Sequence, residues 1–192
     1  MSSIGIITRV LVAWLLLGAP GHAGDLLAAA SAVEHAPYGR IISLYGAHTE
    51  NLLAMGVVDQ LIGIDRQSVH LAGAGGQAVF SYHDDPERFL AARPDLVLIR
   101  PMIERGYPRL VQRLQKSGIQ VVSLQPTMVD QLEGYWRVLG RLTGREAQAN
   151  GMAATFQTAV MDFKRLSAQV DDPQRVYFEA IHRKMKTFTP QA

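Results

Sequence analysis

The chain has 192 residues, which is enough for one domain of ordinary size. Its 19 Lys and Arg residues nearly balance its 17 Asp and Glu residues, so the overall charge gives no indication of nucleic-acid binding. It contains no cysteine, which excludes disulfides, thiolate metal sites and a lipidated N-terminal cysteine.

Residues 1–23 have the pattern of a secretory signal peptide. Arg9 precedes an apolar run, and the small residues Gly21 and Ala23 occupy the positions that signal peptidase recognises. The apolar run is about half as long as the ~20 residues of a membrane span. We therefore expect export, cleavage near Ala23, and a mature protein that does not insert into the membrane. Residues 24–37 are alanine-rich and predict a flexible lead-in.

Four short apolar runs have the length and composition of strands that are buried on both faces of a parallel sheet. Helical patterns separate them, most clearly over Pro108–Lys116. Strand–helix–strand units almost always pair in parallel with a right-handed crossover. The sequence therefore predicts an α/β lobe over residues 38–144, with a Rossmann-like parallel sheet and flanking helices. The four runs are Arg40–Leu44, Leu61–Ile64, Asp95–Ile99 and Ile119–Leu124.

The C-terminal third of the chain is predicted to be mainly helical. One helix is indicated over Met128–Leu142, and a longer one over residues 145–170 carries an apolar stripe that includes Ala149, Phe163 and Leu166. Arg175–Ile181 has the composition of a further strand. A lone strand cannot satisfy its backbone groups unless other strands pair with it.

Aromatic, imidazole, arginine and methionine side chains fall in loops or at strand ends that a parallel α/β sheet would gather on one rim. Ligands of open parallel sheets bind beyond the carboxyl ends of the strands, where these loops gather. The surface would combine flat apolar area with cationic and imidazole groups, which suits a large, partly apolar ligand that is bound without being transformed. A metal chelate with carboxylate or phosphate groups has these properties. The residues are Tyr45, His48, Arg66, Tyr82, His83, Arg100, Met102 and His182.

Signals for catalysis are weak, because the sequence has no GxSxG motif and no pair of histidines at HExxH or HxH spacing. Two alternatives to a chelate-binding protein nevertheless remain. One is a free metal-ion site that uses His48, His83 and His182. The other is a small exported α/β hydrolase in which His83 and Asp84 form an acid/base pair. We predict no enzyme activity and no resident cofactor.

The segments RIISLYGAHTENLLAMG, LIGID, RPDLVLI and SGIQVVSL occur in an order that resembles the N-terminal lobe of the periplasmic binding proteins of cobalamin and ferric-siderophore ABC importers. Residues 145–170 resemble the helix that joins the two lobes in that class, and RVYFEAI resembles the first strand of the second lobe. The resemblance implies a periplasmic protein that binds a corrinoid, a ferric siderophore or another metal chelate. It also implies a membrane permease as the partner.

The same resemblance implies roles for individual residues. Glu104, which follows Met102, corresponds to the acidic residue that docks onto arginines of the permease. Residues 171–192 would supply only the start of a second lobe, so we expect an incomplete binding protein with feeble affinity. The residues expected to line the cleft are Tyr45, Gly46, Ala47, His48, Arg66, Ser81, Tyr82, His83, Arg100 and Met102, with His182 and Met185 entering from the second lobe.

Overall fold

The computed structural model describes residues 37–71 and 73–170. The predicted signal peptide, the lead-in up to residue 36 and the predicted strand Arg175–Ile181 lie outside these residues. The strands are β1 (Ile41–Ser43), β2 (Leu61–Asp65), β3 (Ala78–Phe80), β4 (Leu96–Ile99) and β5 (Gln120–Ser123). The helices are α1 (Gly46–Ala54), α2 (Pro86–Ala92), α3 (Pro101–Gly106), α4 (Pro108–Lys116), α5 (Leu132–Thr143) and α6 (Glu146–Ser167), with 3₁₀ turns at Arg66–Ser68 and Val129–Gln131.

The five strands form one parallel sheet in the order β3-β2-β1-β4-β5. The chain runs outward from β1 through β2 to β3, and then returns to pair β4 with the other side of β1. The strand order therefore reverses between β1 and β4, and such a switch point opens a crevice beyond the carboxyl ends of the two strands. The predicted α/β fold with a Rossmann-like parallel sheet is confirmed.

Strands β1 and β4 show why the strands of this sheet appear in the sequence as short, uninterrupted apolar runs. Every residue of β1 and β4 is buried, as expected for strands that are covered on both faces. Leu110, Val111 and Leu114 of α4 belong to the same buried cluster as Val97 and Ile99 of β4. The carboxyl ends of β1 and β4 therefore emerge from the buried core of the lobe.

The sequence pattern did not indicate β3 or α3. Strand β3 has three residues, too few to show a periodic pattern, and lies at the edge of the sheet. Helix α3 occupies the stretch after Arg100 that we expected to be a loop. Its start is marked by Pro101 in the first helical turn, a position that proline favours because its missing N–H has no partner there.

Helix α6 fills most of the stretch that was predicted to be the linking helix, and its linking role remains a prediction. The chain divides into two compact units after Ala153, within this helix. In the first unit, Ala149 and Ala153 are buried. In the second, Phe163 and Leu166 are exposed. Among the described residues, no helix is both long enough and apolar enough to cross a membrane.

Gly63 of β2 provides a test of the packing in the sheet. A Cβ atom at this position would lie 2.6 Å from Cδ2 of the buried Phe80 ring and 3.1 Å from Cγ1 of Ile42. We expect Gly63→Ala to lower the free energy of unfolding by about 2 kcal/mol, because an overfilled core must shift. Urea unfolding of the whole chain, followed by circular dichroism, measures the change.

Gly134→Ala is the matched control for that substitution. Gly134 lies in α5, and a Cβ atom there meets nothing within 4 Å. Alanine at an unhindered helical position should stabilise the chain by up to about 1 kcal/mol. Equal stability of the wild type and Gly63→Ala would contradict the packing described for β2 and β3.

Candidate functional site

A cavity of about 380 Å³ lies at the carboxyl ends of β1 to β4, where the strand order predicts a crevice. The structure brings five of the predicted cleft residues together in its wall: Tyr45, Arg66, Ser81, Tyr82 and Arg100. Sequence reasoning did not assign the other four lining residues to the cleft. These are Leu44, Asp65, Gln67 and Phe80.

Tyr45 and Arg100 form the centre of this wall. Tyr45 follows the end of β1, and Arg100 directly follows β4, so the parallel pairing of these strands places the two side chains side by side. The guanidinium carbon of Arg100 lies 4.9 Å from the centroid of the Tyr45 ring, which is a cation–π contact. The wall therefore offers a fixed positive charge next to an aromatic face.

A tight turn after β2 presents a second arginine. The Asp65 carboxylate accepts hydrogen bonds from the backbone N–H of Gln67, at 3.1 Å, and from the hydroxyl of Ser68. These bonds cap the 3₁₀ turn that begins with Arg66, whose side chain is exposed and lines the cavity. The carboxylate has a structural role in the turn, and the two arginines supply the cationic groups of the site.

An aromatic cluster borders the cavity on one side. The ring centroids of Tyr82, His83 and Tyr107 lie 4.5 to 5.1 Å apart, and the Tyr107 hydroxyl is 3.2 Å from Nδ1 of His83. Tyr82 also lines a second cavity of about 410 Å³, together with His83, Tyr107 and Arg109. Sequence reasoning missed Tyr107, because only the packing of the α3–α4 corner brings it to the loop after β3.

His48 lies in the core and not at the surface of the cleft, where the sequence had predicted it. Its side chain is fully buried, with Nδ1 2.7 Å from the Tyr135 hydroxyl and Nε2 3.1 Å from the carbonyl oxygen of Ile99. A carbonyl can only accept, so Nε2 carries the proton and Nδ1 accepts from Tyr135. The physical reason is that α1 already begins at Gly46, which makes His48 the third residue of the helix and turns its side chain inward over the sheet.

Burial also fixes the charge of this histidine. It lowers the pKa of His48 from 6.5 to about 4, although hydrogen bonding to the backbone of Ile99 and Leu124 acts in the opposite direction. Burial likewise raises the pKa of Tyr135. A neutral polar pair therefore lies beneath the wall of the cavity.

The remaining predicted residues have different surroundings. Gly46 and Ala47 are partly exposed in the first turn of α1. Met102 is partly buried and packs against the core, so it is not among the residues that line the 380 Å³ cavity. Glu104 is partly exposed in the first turn of α3. His182 and Met185 lie outside the described residues.

The geometry above is that of a binding surface at the rim of a Rossmann-like lobe. The sequence profile of the periplasmic binding protein family matches residues 41–187, which is more than half of the chain. The chain belongs to the periplasmic binding protein family. Members of this family bind solutes.

Several solved structures share the fold of this periplasmic binding protein. One is a possible iron-binding periplasmic solute-binding protein of Staphylococcus epidermidis, at 23% identity and a TM-score of 0.68, over 78% of this chain and 59% of that one. Another is a heme-binding protein of Vibrio cholerae, at 24% identity and a TM-score of 0.64, over 77% and 57%. A third is the vitamin B12-binding protein of Vibrio cholerae, at 24% identity and a TM-score of 0.58, over 69% and 52%.

This chain covers only part of each of these three solved structures. The chain spans less than three-fifths of the length of each of these three structures. No curated protein matched the chain at the significance required. At these identities, the likeness to solved structures establishes the fold of this periplasmic binding protein.

The buried imidazole of His48 predicts how stability depends on pH. Its pKa is lower in the folded chain than in the unfolded one, so the unfolded chain binds the proton more readily and stability falls as pH drops from about 6.5 to about 4. Between about pH 7.5 and about pH 5, this group should remove about 2 kcal/mol from the free energy of unfolding. Urea unfolding at both pH values, for the wild type and for His48→Gln, isolates its contribution.

The difference between the two chains is the informative quantity, since other groups titrate in both. The wild type should lose about 2 kcal/mol more than His48→Gln over this range. An equal loss in both chains would mean that His48 is not the buried neutral base described above.

Proposed function

We propose that this chain is the solute-binding component of an ABC importer and binds a metal chelate with a flat apolar surface and anionic groups. A corrinoid, a ferric siderophore or a haem would fit this description. Residues 1–23 would direct export of the chain to the periplasm. There the chain would bind the ligand and pass it unchanged to a membrane permease. The rim of the α/β lobe would form one wall of the binding site.

The observation that carries this proposal is the wall itself. Arg100 lies against the ring of Tyr45 at the switch point, and Arg66 and Tyr82 line the same cavity. Aromatic faces can stack on a macrocycle or an aromatic chelating group, and guanidinium groups form paired hydrogen bonds with carboxylate or phosphate. Sites of this composition are typical of binding, since they orient a ligand without supplying a nucleophile.

A free metal-ion site has less support from the described part of the chain. Over residues 37–71 and 73–170, no group of three or more His, Asp or Glu side chains is placed to hold a metal ion. His48 uses both ring nitrogens within the core, whereas His83 is exposed and hydrogen-bonded to Tyr107. A hydroxyl and an imidazole beside an open cavity suit contact with a chelate better than full coordination of a bare ion.

The hydrolase alternative also loses its acid/base pair. The Asp84 carboxylate accepts from the backbone N–H of Ser81 at 2.9 Å and from the guanidinium of Arg88 at 2.6 Å. It therefore stabilises the start of α2 and does not contact His83 as an orienting base would have to. We accordingly place no catalytic step at this loop.

Ligand binding can be tested with three probes of the proposed class: haemin, cyanocobalamin and the ferric complex of desferrioxamine B. At least one should give a saturable change in absorbance on titration with the chain. Arg100→Gln should weaken that binding by about tenfold, because a charge-assisted hydrogen bond to an anionic group of the probe is lost.

Arg105→Gln is the control for this substitution, since it removes the same charge from an exposed position in α3 that does not line the 380 Å³ cavity. It should leave the affinity within about twofold of the wild type. Absence of binding with all three probes would contradict the proposed ligand class. Equal losses in both variants would show that overall charge, and not the Tyr45–Arg100 wall, attracts the probe.

Docking onto the permease is proposed to involve Glu104. This residue lies in α3 outside the lining of the 380 Å³ cavity, so Glu104→Gln should reduce uptake several-fold and leave probe affinity unchanged. A charge at the rim of an interface mainly steers and orients the partner. Uptake of the bound probe by cells of the native organism, together with titration of the purified variant, measures the two effects separately.

Asp59→Asn makes a comparable change in charge in the exposed turn before β2, at the amino ends of the strands, whereas α3 follows the carboxyl end of β4. It should leave uptake unaffected. Wild-type uptake with Glu104→Gln, or an affinity loss as large as that of Arg100→Gln, would rule out the docking role.

A further inference from the structure

His48 lies directly beneath the two residues that form the centre of the wall, and it contacts both of the chain segments that carry them. It is fully buried and is not among the residues that line either cavity described above. Its contacts join the end of β4, Tyr45 beyond the end of β1, and helix α5.

The first contact holds the end of β4. The carbonyl oxygen of Ile99 accepts from Nε2 of His48 at 3.1 Å and from the backbone N–H of Leu124 at 3.0 Å. This is the last carbonyl of β4, and the peptide that it belongs to leads into Arg100. Because two donors hold this peptide group, the direction in which Arg100 leaves the sheet is fixed.

The second contact holds Tyr45. The imidazole of His48 stands nearly perpendicular to the tyrosine ring, with centroids 5.1 Å apart and an interplanar angle of 86°. This edge-to-face arrangement is the one that aromatic rings favour. The Arg100 guanidinium lies 4.9 Å from the centroid of the same tyrosine ring. A neutral imidazole at this position avoids placing a second cation near Arg100.

The third contact ties His48 to α5. The buried Tyr135 hydroxyl donates to Nδ1 at 2.7 Å, which leaves the proton on Nε2 for the bond to Ile99. Beside it, Nε1 of Trp136 donates to Asn51 at 2.6 Å, and the Asn51 amide donates to the carbonyl of Ala47 at 2.6 Å. Helix α5 is thus joined to α1 by two polar links under the wall.

We propose that His48 and Tyr135 are positioning residues of the ligand site: they hold the Tyr45–Arg100 pair in its binding geometry without lining the cavity. The ligand-binding consequence rests on the function proposed above. The geometric consequence is independent of that function, since the arrangement of Tyr45 and Arg100 can be measured without any ligand. The two consequences can therefore fail separately.

The geometric test uses the side-chain Hε–Nε resonance of Arg100 in the ¹⁵N-labelled, ligand-free chain, assigned by its loss in Arg100→Lys. The Tyr45 ring should shift this resonance upfield, and Tyr45→Leu should abolish the shift. Tyr135→Phe removes a single hydroxyl, and His48→Leu removes both hydrogen bonds and the ring. Both substitutions should move the Arg100 resonance toward its position in Tyr45→Leu. The shift should be larger in His48→Leu than in Tyr135→Phe.

Two further variants separate positioning from general destabilisation. His48→Gln keeps an N–H donor that can reach the Ile99 carbonyl, so it should retain more of the shift than His48→Leu. Thr143→Val removes a buried hydroxyl that donates to Leu139 at 2.8 Å in α5, away from the cavity, and should leave the resonance unchanged. Tyr135→Phe keeps the test decisive even if the His48 variants do not fold.

The binding test uses whichever of haemin, cyanocobalamin and ferric desferrioxamine B binds the wild type. Tyr135→Phe should weaken binding of that probe by about threefold to tenfold, and Thr143→Val should not weaken it. A wild-type Arg100 resonance in Tyr135→Phe, and in His48→Leu if that variant folds, would overturn the positioning role. A displaced resonance with no binding of any probe by the wild type would support that role and refute the proposed function alone.

Discussion

The parallel pairing of β1 with β4 is the constraint on which the site depends. The two strands lie at the centre of the sheet, and the strand order reverses between them, so nothing in the sheet covers the crevice beyond their carboxyl ends. Tyr45 follows the end of one strand, and Arg100 directly follows the other. Their cation–π contact therefore results from the topology of the sheet and from the positions of these residues in the sequence.

Beneath this wall, the protein tolerates a buried polar pair because every polar atom of that pair has a partner. The imidazole of His48 donates to Ile99 and accepts from Tyr135, and burial keeps it neutral. A buried polar group is costly only when it lacks a hydrogen bond. The hydrogen-bonded pair can therefore orient Tyr45 and Arg100 without a large loss of stability. The same arrangement explains why this histidine is unsuited to metal binding: both ring nitrogens are already used.

The chemistry of the wall favours recognition over reaction. Two arginines, Tyr45 and the aromatic cluster of Tyr82, His83 and Tyr107 offer charge and flat surface. The nearby carboxylates of Asp65 and Asp84 stabilise turns. A ligand with anionic groups at the edge of a flat body would satisfy both kinds of contact. This is the kind of solute that we propose for this member of the periplasmic binding protein family.

The sequence by itself determined the α/β class, four of the five strands and five of the residues that line the cavity. These features follow from local rules, since buried parallel strands read as apolar runs and a ligand site lies where such strands end. Only the tertiary structure decided that His48 lies in the core, that Tyr107 joins Tyr82 and His83, and that β3 completes the sheet. The physical reason is that inward or outward placement depends on where a helix starts and what packs above it. A difference of one or two residues in that start turns a side chain from the surface to the core.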